Sequence, residues 1–159
     1  MSQQTNIPVS HPWCWVDMDG TLCEDNHYPR FGKPRPGARK ALYEFKHMGL
    51  RIMVFTARTA MLGLDGKYQD VNQVIEEIKA WAQHNDIPID YVFPLPKPTH
   101  ILFGIDDRAI SIVNPPDPSM DHEMYWQDVV ATVKARFGHK LQNWQREVTP
   151  TTFGVQSGS

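Results

Sequence analysis

The chain has 159 residues, 41% apolar and 21% charged, with two cysteines and a formal net charge of -2. These figures suit one soluble globular domain long enough to bury a core, and they argue against a generally basic nucleic-acid surface. No apolar run approaches the roughly 20 residues that span a bilayer, residues 1–12 lack the order of a signal peptide, and the scattered histidines and cysteines show no zinc spacing, all consistent with a reducing, cytoplasmic setting.

The expected organisation is a flexible N-terminus over 1–12, a single domain over 13–139 and a C-terminal tail over 140–159. Residues 13–17 read as a buried strand that stops at Asp17. Asp19 follows two positions later, then Gly20 and Thr21. Alternating side chains put 17 and 19 on one side if the chain stays extended. Two such carboxylates repel, so a cation, a shared proton or full solvation must offset the repulsion. Pro36 and Gly37 introduce a helix with Ala38, Leu42, Phe45 and Met48 on one face, and Gly49 ends it. The run at 51–55 is a short strand rich in β-formers. A second helix carries Val71, Val74, Ile75, Ile78, Trp81 and Ala82 at helical spacing and stops before Pro88. Residues 91–93 form a short strand, and 100–105 a buried strand that again ends in acids, Asp106 and Asp107. A third helix over 122–137 turns Trp126, Val129, Val130, Val133 and Phe137 inward, with Asp121 as its N-cap.

Alternating strands and helices predict an α/β fold, a Rossmann-like three-layer sandwich with a mostly parallel sheet covered on both faces. Ligands of such sheets bind beyond the carboxyl ends of the strands. There the chain places Asp17, Asp19, Thr56, Asp106 and Asp107, with Lys97 in the loop feeding the last strand. Clustered carboxylates favour a hard cation held by oxygen, and Mg²⁺ is the usual choice. Asp17 would be free to attack phosphorus, a known role for aspartate in phosphoryl transfer. Asp19 would protonate the leaving oxygen and then deprotonate water. Thr56 and nearby backbone N–H groups would hold the non-bridging oxygens, and Lys97 would balance charge.

The chain resembles the haloacid dehalogenase (HAD) superfamily of phosphatases. "DMDGTL" at 17–22 matches its first motif, Thr56 the second, Lys97 in "PLPKP" the third, and "GIDDRA" at 104–109 the acidic fourth. The resemblance spans about 13–113. It implies Asp17 as nucleophile and Mg²⁺ ligand, Asp19 as acid/base that also gives its backbone carbonyl to the metal, Asp106 as ligand, and Asp107 beside it. Arg58 or Lys67 would be another source of the third-motif charge. Thr21, Ala57 and Arg58 are expected to touch substrate. Trp81 and Trp126 read as core, and Arg108 as a structural ion-pair partner.

The resulting expectation is a Mg²⁺-dependent phosphatase acting on a phosphate monoester through an aspartyl-phosphate. The alternatives are a polynucleotide end (3′-) phosphatase or nucleotidase, and a receiver-like or non-catalytic phosphorylation switch. Receivers carry their acid pair first and the phosphorylated aspartate later, and the order here is the reverse. Asp19 and Thr56 are 37 positions apart, and Thr56 and Lys97 are 41 apart. Neither interval holds a folded cap, since even marginal domains need roughly 40 residues. An open site suits a large or nucleotide-like substrate. The basic stretch 28–40 would grip it through Arg30 and Lys33, with Tyr28 and Phe31 stacking on a base or sugar.

Overall fold

The structure is a computed structural model that describes residues 12–25, 27–97, 110 and 121–148. Strands β1 (Trp13–Val16), β2 (Arg51–Val54) and β3 (Tyr91–Val92) alternate with helices α1 (Ala38–His47) and α2 (Val71–His84), and α3 (His122–Val148) follows. The strands form one parallel sheet in the order β1-β2-β3. The register pairs Val16 with Val54 and Val54 with Val92, so these three side chains share a face.

That face is the core. Val16, Ile52, Val54 and Val92 pack in one cluster with Leu42 and Phe45 of α1, Val74 and Ile78 of α2, and Trp126, Val129 and Val133 of α3. The two connections, β1 to β2 and β2 to β3, step in the same direction across the sheet. Right-handed crossovers therefore put α1 and α2 on the same side, and α3 packs on α1. The described residues thus make two layers. The third layer of the expected sandwich is not among them. On the other face the rings of Trp15, Phe55 and Phe93 meet edge to face at 5.9 and 5.6 Å, and Trp15 is 51% exposed.

The helices begin where local chemistry satisfies their first N–H groups. Asp70 accepts from the backbone of Asn72 (2.9 Å) and Gln73 (3.5 Å). Asp121 accepts from Glu123 (3.0 Å) and Met124 (3.2 Å), as its N-cap reading requires. Gly37 has φ 84°, and a Cβ there would come 2.9 Å from the Glu123 Cα, so glycine lets α3 approach the start of α1. Helix α3 runs on to Val148 rather than stopping near 137. Leu141, buried one turn beyond Phe137, continues the apolar stripe and supplies the reason. The expected strand 100–105 lies outside the described residues. No helix among the described residues is long and apolar enough to cross a membrane.

Leu42 is fully buried between sheet and helices. Leu42→Ala is expected to remove about 2–5 kcal/mol of stability. A urea titration should show this as a lower midpoint with an unchanged slope.

Candidate functional site

β1 ends at Val16, and the chain folds at once around the carbonyl of Met18. That oxygen accepts from the N–H groups of Thr21 (3.1 Å), Leu22 (2.9 Å) and Cys23 (3.1 Å). Gly20 supports this turn with φ 77°. Met18 and Leu22 are fully buried and pin the loop. Asp17 and Asp19, on either side of Met18, stay partly exposed. The strand ends at Val16 and the chain turns at Met18, and the two acids take different side-chain partners.

Asp17 Oδ2 lies 3.3 Å from Lys97 Nζ and accepts from the Thr21 hydroxyl at 3.4 Å. Burial holds the Asp17 carboxyl above its usual proton affinity, against the opposing pull of the Lys97 cation. Asp19 is gripped by Arg58. Arg58 Nε donates to Asp19 Oδ2 and Nη2 to Oδ1, both at 2.6 Å. Each acid thus has its own cation, and the repulsion expected between them is met in that way.

Thr56 arrives at the rim because the β1–β2 ladder extends one step beyond the strands, with Phe55 N donating to Val16 O at 2.9 Å. Its carbonyl accepts from Lys97 N at 3.0 Å. The backbone of Lys97 is therefore tied to β2 while its side chain reaches the end of β1. Thr56 Oγ1 accepts from Arg58 N at 3.2 Å and caps the short 3₁₀ turn Ala57–Thr59. The structure brings together Asp17, Asp19, Thr21, Thr56, Ala57, Arg58 and Lys97 at one end of the sheet. Asp106, Asp107 and Arg108 lie outside the described residues. Among the described residues no group of three His, Cys, Asp or Glu side chains is placed to hold a metal ion.

Several expectations change. Arg58 is 2% exposed and its guanidinium is taken up by protein partners, so it is not presented as a substrate-facing or third-motif cation. Besides Asp19, its guanidinium donates to Pro29 O (2.9 Å) and Arg30 O (2.7 Å). Phe31 and Tyr28, expected to stack on a base, instead stand 4.4 and 5.2 Å from that guanidinium. The Tyr28 hydroxyl donates to Gln69 Oε1 at 3.0 Å. Trp81 is half-buried and packs against the core cluster, and its Nε1 donates to Gly32 O at 3.2 Å. Arg30 and Lys33 remain exposed. Arg39, from the same basic stretch, is used structurally in an ion pair with Asp86.

Gln69 went unforeseen. Its Nε2 donates to the carbonyls of Arg58 and Ala60, both at 2.7 Å, and anchors the loop 60–69 beside the site. A lone glutamine in a loop carries no periodicity, so no sequence signal marked it. Between Asp19 and Thr56, and between Thr56 and Lys97, the described residues hold no separate cap domain.

No protein-family model matches the chain, and no curated protein matches it. Among solved structures, a structural-genomics target from Vibrio cholerae is similar. It is 24% identical, with 86% of this chain and 98% of that chain covered and a TM-score of 0.52. A conserved protein from Bacteroides thetaiotaomicron is 20% identical over 79% of this chain and 91% of its own, with a TM-score of 0.45. The likeness to the Vibrio protein is one of fold.

Cys23 Sγ lies 3.9 Å from Asp19 Oδ1, and burial pushes its pKa up to about 12. Burial likewise pushes Cys14 from 9.0 up to about 11. Only the thiolate reacts, and a raised pKa leaves less of it at pH 8. Cys14 in the folded protein should therefore react with a disulfide reagent about a hundredfold more slowly at pH 8 than in the unfolded chain. Absorbance kinetics with and without denaturant measure this ratio.

Proposed function

We propose that this chain is a Mg²⁺-dependent phosphatase of the HAD type, acting on a phosphate monoester. The observation that carries the reading is Asp17 at the carboxyl end of β1, 3.3 Å from the ammonium of Lys97, which is itself tied through its backbone to Thr56. A carboxylate, a cation and a strand-end hydroxyl at one parallel-sheet rim are the parts that phosphoryl transfer to aspartate needs.

In this reading an Asp17 oxygen attacks phosphorus while the bond to the leaving oxygen breaks. Asp19 gives that oxygen its proton, and the alcohol departs. Water then attacks the aspartyl-phosphate and loses a proton to Asp19. The bond from phosphorus to the Asp17 oxygen breaks, and inorganic phosphate leaves with the Asp17 carboxylate restored. Lys97 offsets the negative charge that gathers on Asp17 and the phosphoryl group. Thr56 and the backbone of the turn after it hold the non-bridging oxygens.

The donors near Asp17 fit a hard cation. They are oxygens, and the thiol of Cys23 stays protonated in the physiological range. Asp17 and the Asp19 backbone carbonyl would hold Mg²⁺ together with Asp106 and Asp107. When bound, it would neutralise charge on the phosphate and keep the partly buried Asp17 ionised.

A second reading, a polynucleotide end phosphatase or nucleotidase, is favoured by one observation. Arg30 and Lys33 stand exposed on the segment that Arg58 holds against the site. They would contact phosphates beyond the one hydrolysed. The lost stacking role of Phe31 leaves this grip purely electrostatic.

A panel of phosphate esters with Mg²⁺, including nucleotides, sugar phosphates and 3′-phosphorylated DNA, tests the proposal through repeated release of inorganic phosphate. Asp17→Asn is expected to abolish turnover with the fold intact by circular dichroism, and substantial residual activity would refute its role. Mg²⁺ should raise the melting temperature by binding the folded state, and Asp106→Ala should remove most of that rise. Arg30→Ala with Lys33→Ala should raise KM for 3′-phosphorylated DNA about tenfold at low salt and flatten its salt dependence. An unchanged KM would leave the first reading alone standing.

A further inference from the structure

Arg58 makes four hydrogen bonds from one buried guanidinium, and they go to two different parts of the chain. Nε and Nη2 take both oxygens of Asp19 at 2.6 Å, while Nη1 and Nη2 take the carbonyls of Pro29 and Arg30 at 2.9 and 2.7 Å. The rings of Phe31 and Tyr28 pack against it at 4.4 and 5.2 Å. Its backbone is held as well: Arg58 O accepts from Gln69, and Gln69 accepts from the Tyr28 hydroxyl. The residue is thus gripped at both ends by one closed network.

We propose that Arg58 is a positioning residue for the acid–base step: it fixes the direction of the Asp19 carboxylate and locks the 28–31 segment to it as one unit. This inference rests on the phosphatase reading above. A carboxylate has about four acceptor sites, and the fork from Arg58 takes two of them. Cys23 Sγ faces a third at 3.9 Å, and the Asp19 side chain, 22% exposed, keeps acceptor capacity for a proton exchanged with substrate. A bidentate fork holds both rotation and tilt of the carboxylate, which a single ammonium contact does not. General acid catalysis depends on such placement, because the proton must lie within hydrogen-bond reach of the leaving oxygen. Lys97, the other cation of the site, is 38% exposed and offers Asp17 one contact at 3.3 Å. The two acids are therefore held in different ways: Asp17 by a partner that leaves it accessible, Asp19 by one that fixes its plane.

The experiment compares two esters in the full chain with Mg²⁺. Phenyl phosphate has a poor leaving group and needs protonation, whereas 2,4-dinitrophenyl phosphate scarcely does. The quantity read is kcat/KM, which covers the reaction up to loss of the leaving group. Arg58→Lys keeps the charge and loses the fork. It should lower kcat/KM for phenyl phosphate by about a hundredfold, within the usual contribution of a positioned acid, and for the dinitrophenyl ester by no more than about fivefold. Phe31→Leu removes one ring and leaves the fork partners in place. It should shift the same ratio in the same sense by about threefold, and it keeps the test decisive if Arg58→Lys does not fold. Equal losses on both esters in the folded variants would make Arg58 merely structural and overturn this inference alone. A wild-type protein inert toward both esters would overturn the phosphatase reading and this inference with it.

Discussion

A guanidinium remains charged in any folded protein, so a side chain such as Arg58, 2% exposed, obliges its surroundings to replace the water it has lost. Here the replacement comes from a carboxylate on the β1 loop and two carbonyls on the segment that follows it. None of these groups is close to Arg58 in sequence. Satisfying one buried charge therefore dictates where two stretches of non-repetitive chain must lie. The loop after β1 could take many shapes if only its own turns mattered. With Arg58 at the end of β2, the shapes that leave a buried cation unpaired are excluded by several kcal/mol.

The parallel sheet then converts this local constraint into a site. β1 and β2 end side by side, and β3 delivers Lys97 across the end of β2 toward Asp17. Because α1, α2 and α3 all pack on one sheet face, the rim is approached by loops rather than walled by helices. The loop at 60–69 and the segment at 28–33 both lean on Arg58, one through its backbone and one through its side chain. Distance in sequence and function in space are thus joined by a single residue.

Much of this was legible in the chain. The three described strands and the starts of the three helices stand where the sequence reading put them, and the three-to-four spacing at 71–84 reports burial directly; the apolar run at 13–16, read as buried, has only Val16 buried and Trp15 51% exposed. Asp121 was readable as a cap, and Asp17, Thr56 and Lys97 as strand-end neighbours. Other features were not readable, for definite reasons. The length of α3 depended on Leu141 becoming buried, a tertiary fact. Arg58 looked like a substrate ligand because a charged residue beside a rim hydroxyl carries no mark of burial. Phe31 and Tyr28 looked like stacking platforms because an aromatic in a basic stretch does not reveal that its cation is inside the protein. Coverage of both sheet faces was inferred from alternation, which says that helices exist and leaves their side to the direction of the crossovers.

The way Lys97 reaches Asp17 has a consequence for dynamics. β3 is two residues long, and beyond it the chain is tied to the neighbouring strand through Phe93 N to Val54 O and Lys97 N to Thr56 O. Proteins open in parts, and short elements with few buried contacts open at lower free energy than the whole. The ammonium that faces Asp17 thus sits on a segment tied to the sheet by few backbone bonds, and by this rule it is expected to part from the sheet at lower free energy than β1, β2 and the three helices. Lys97 and Asp19 are then held differently: the cation follows a two-residue strand, and the second acid is bolted to the most deeply held charge in the described chain. In such an arrangement the charge balance around Asp17 can be relaxed and restored by a local opening, without disturbing the direction in which Asp19 points.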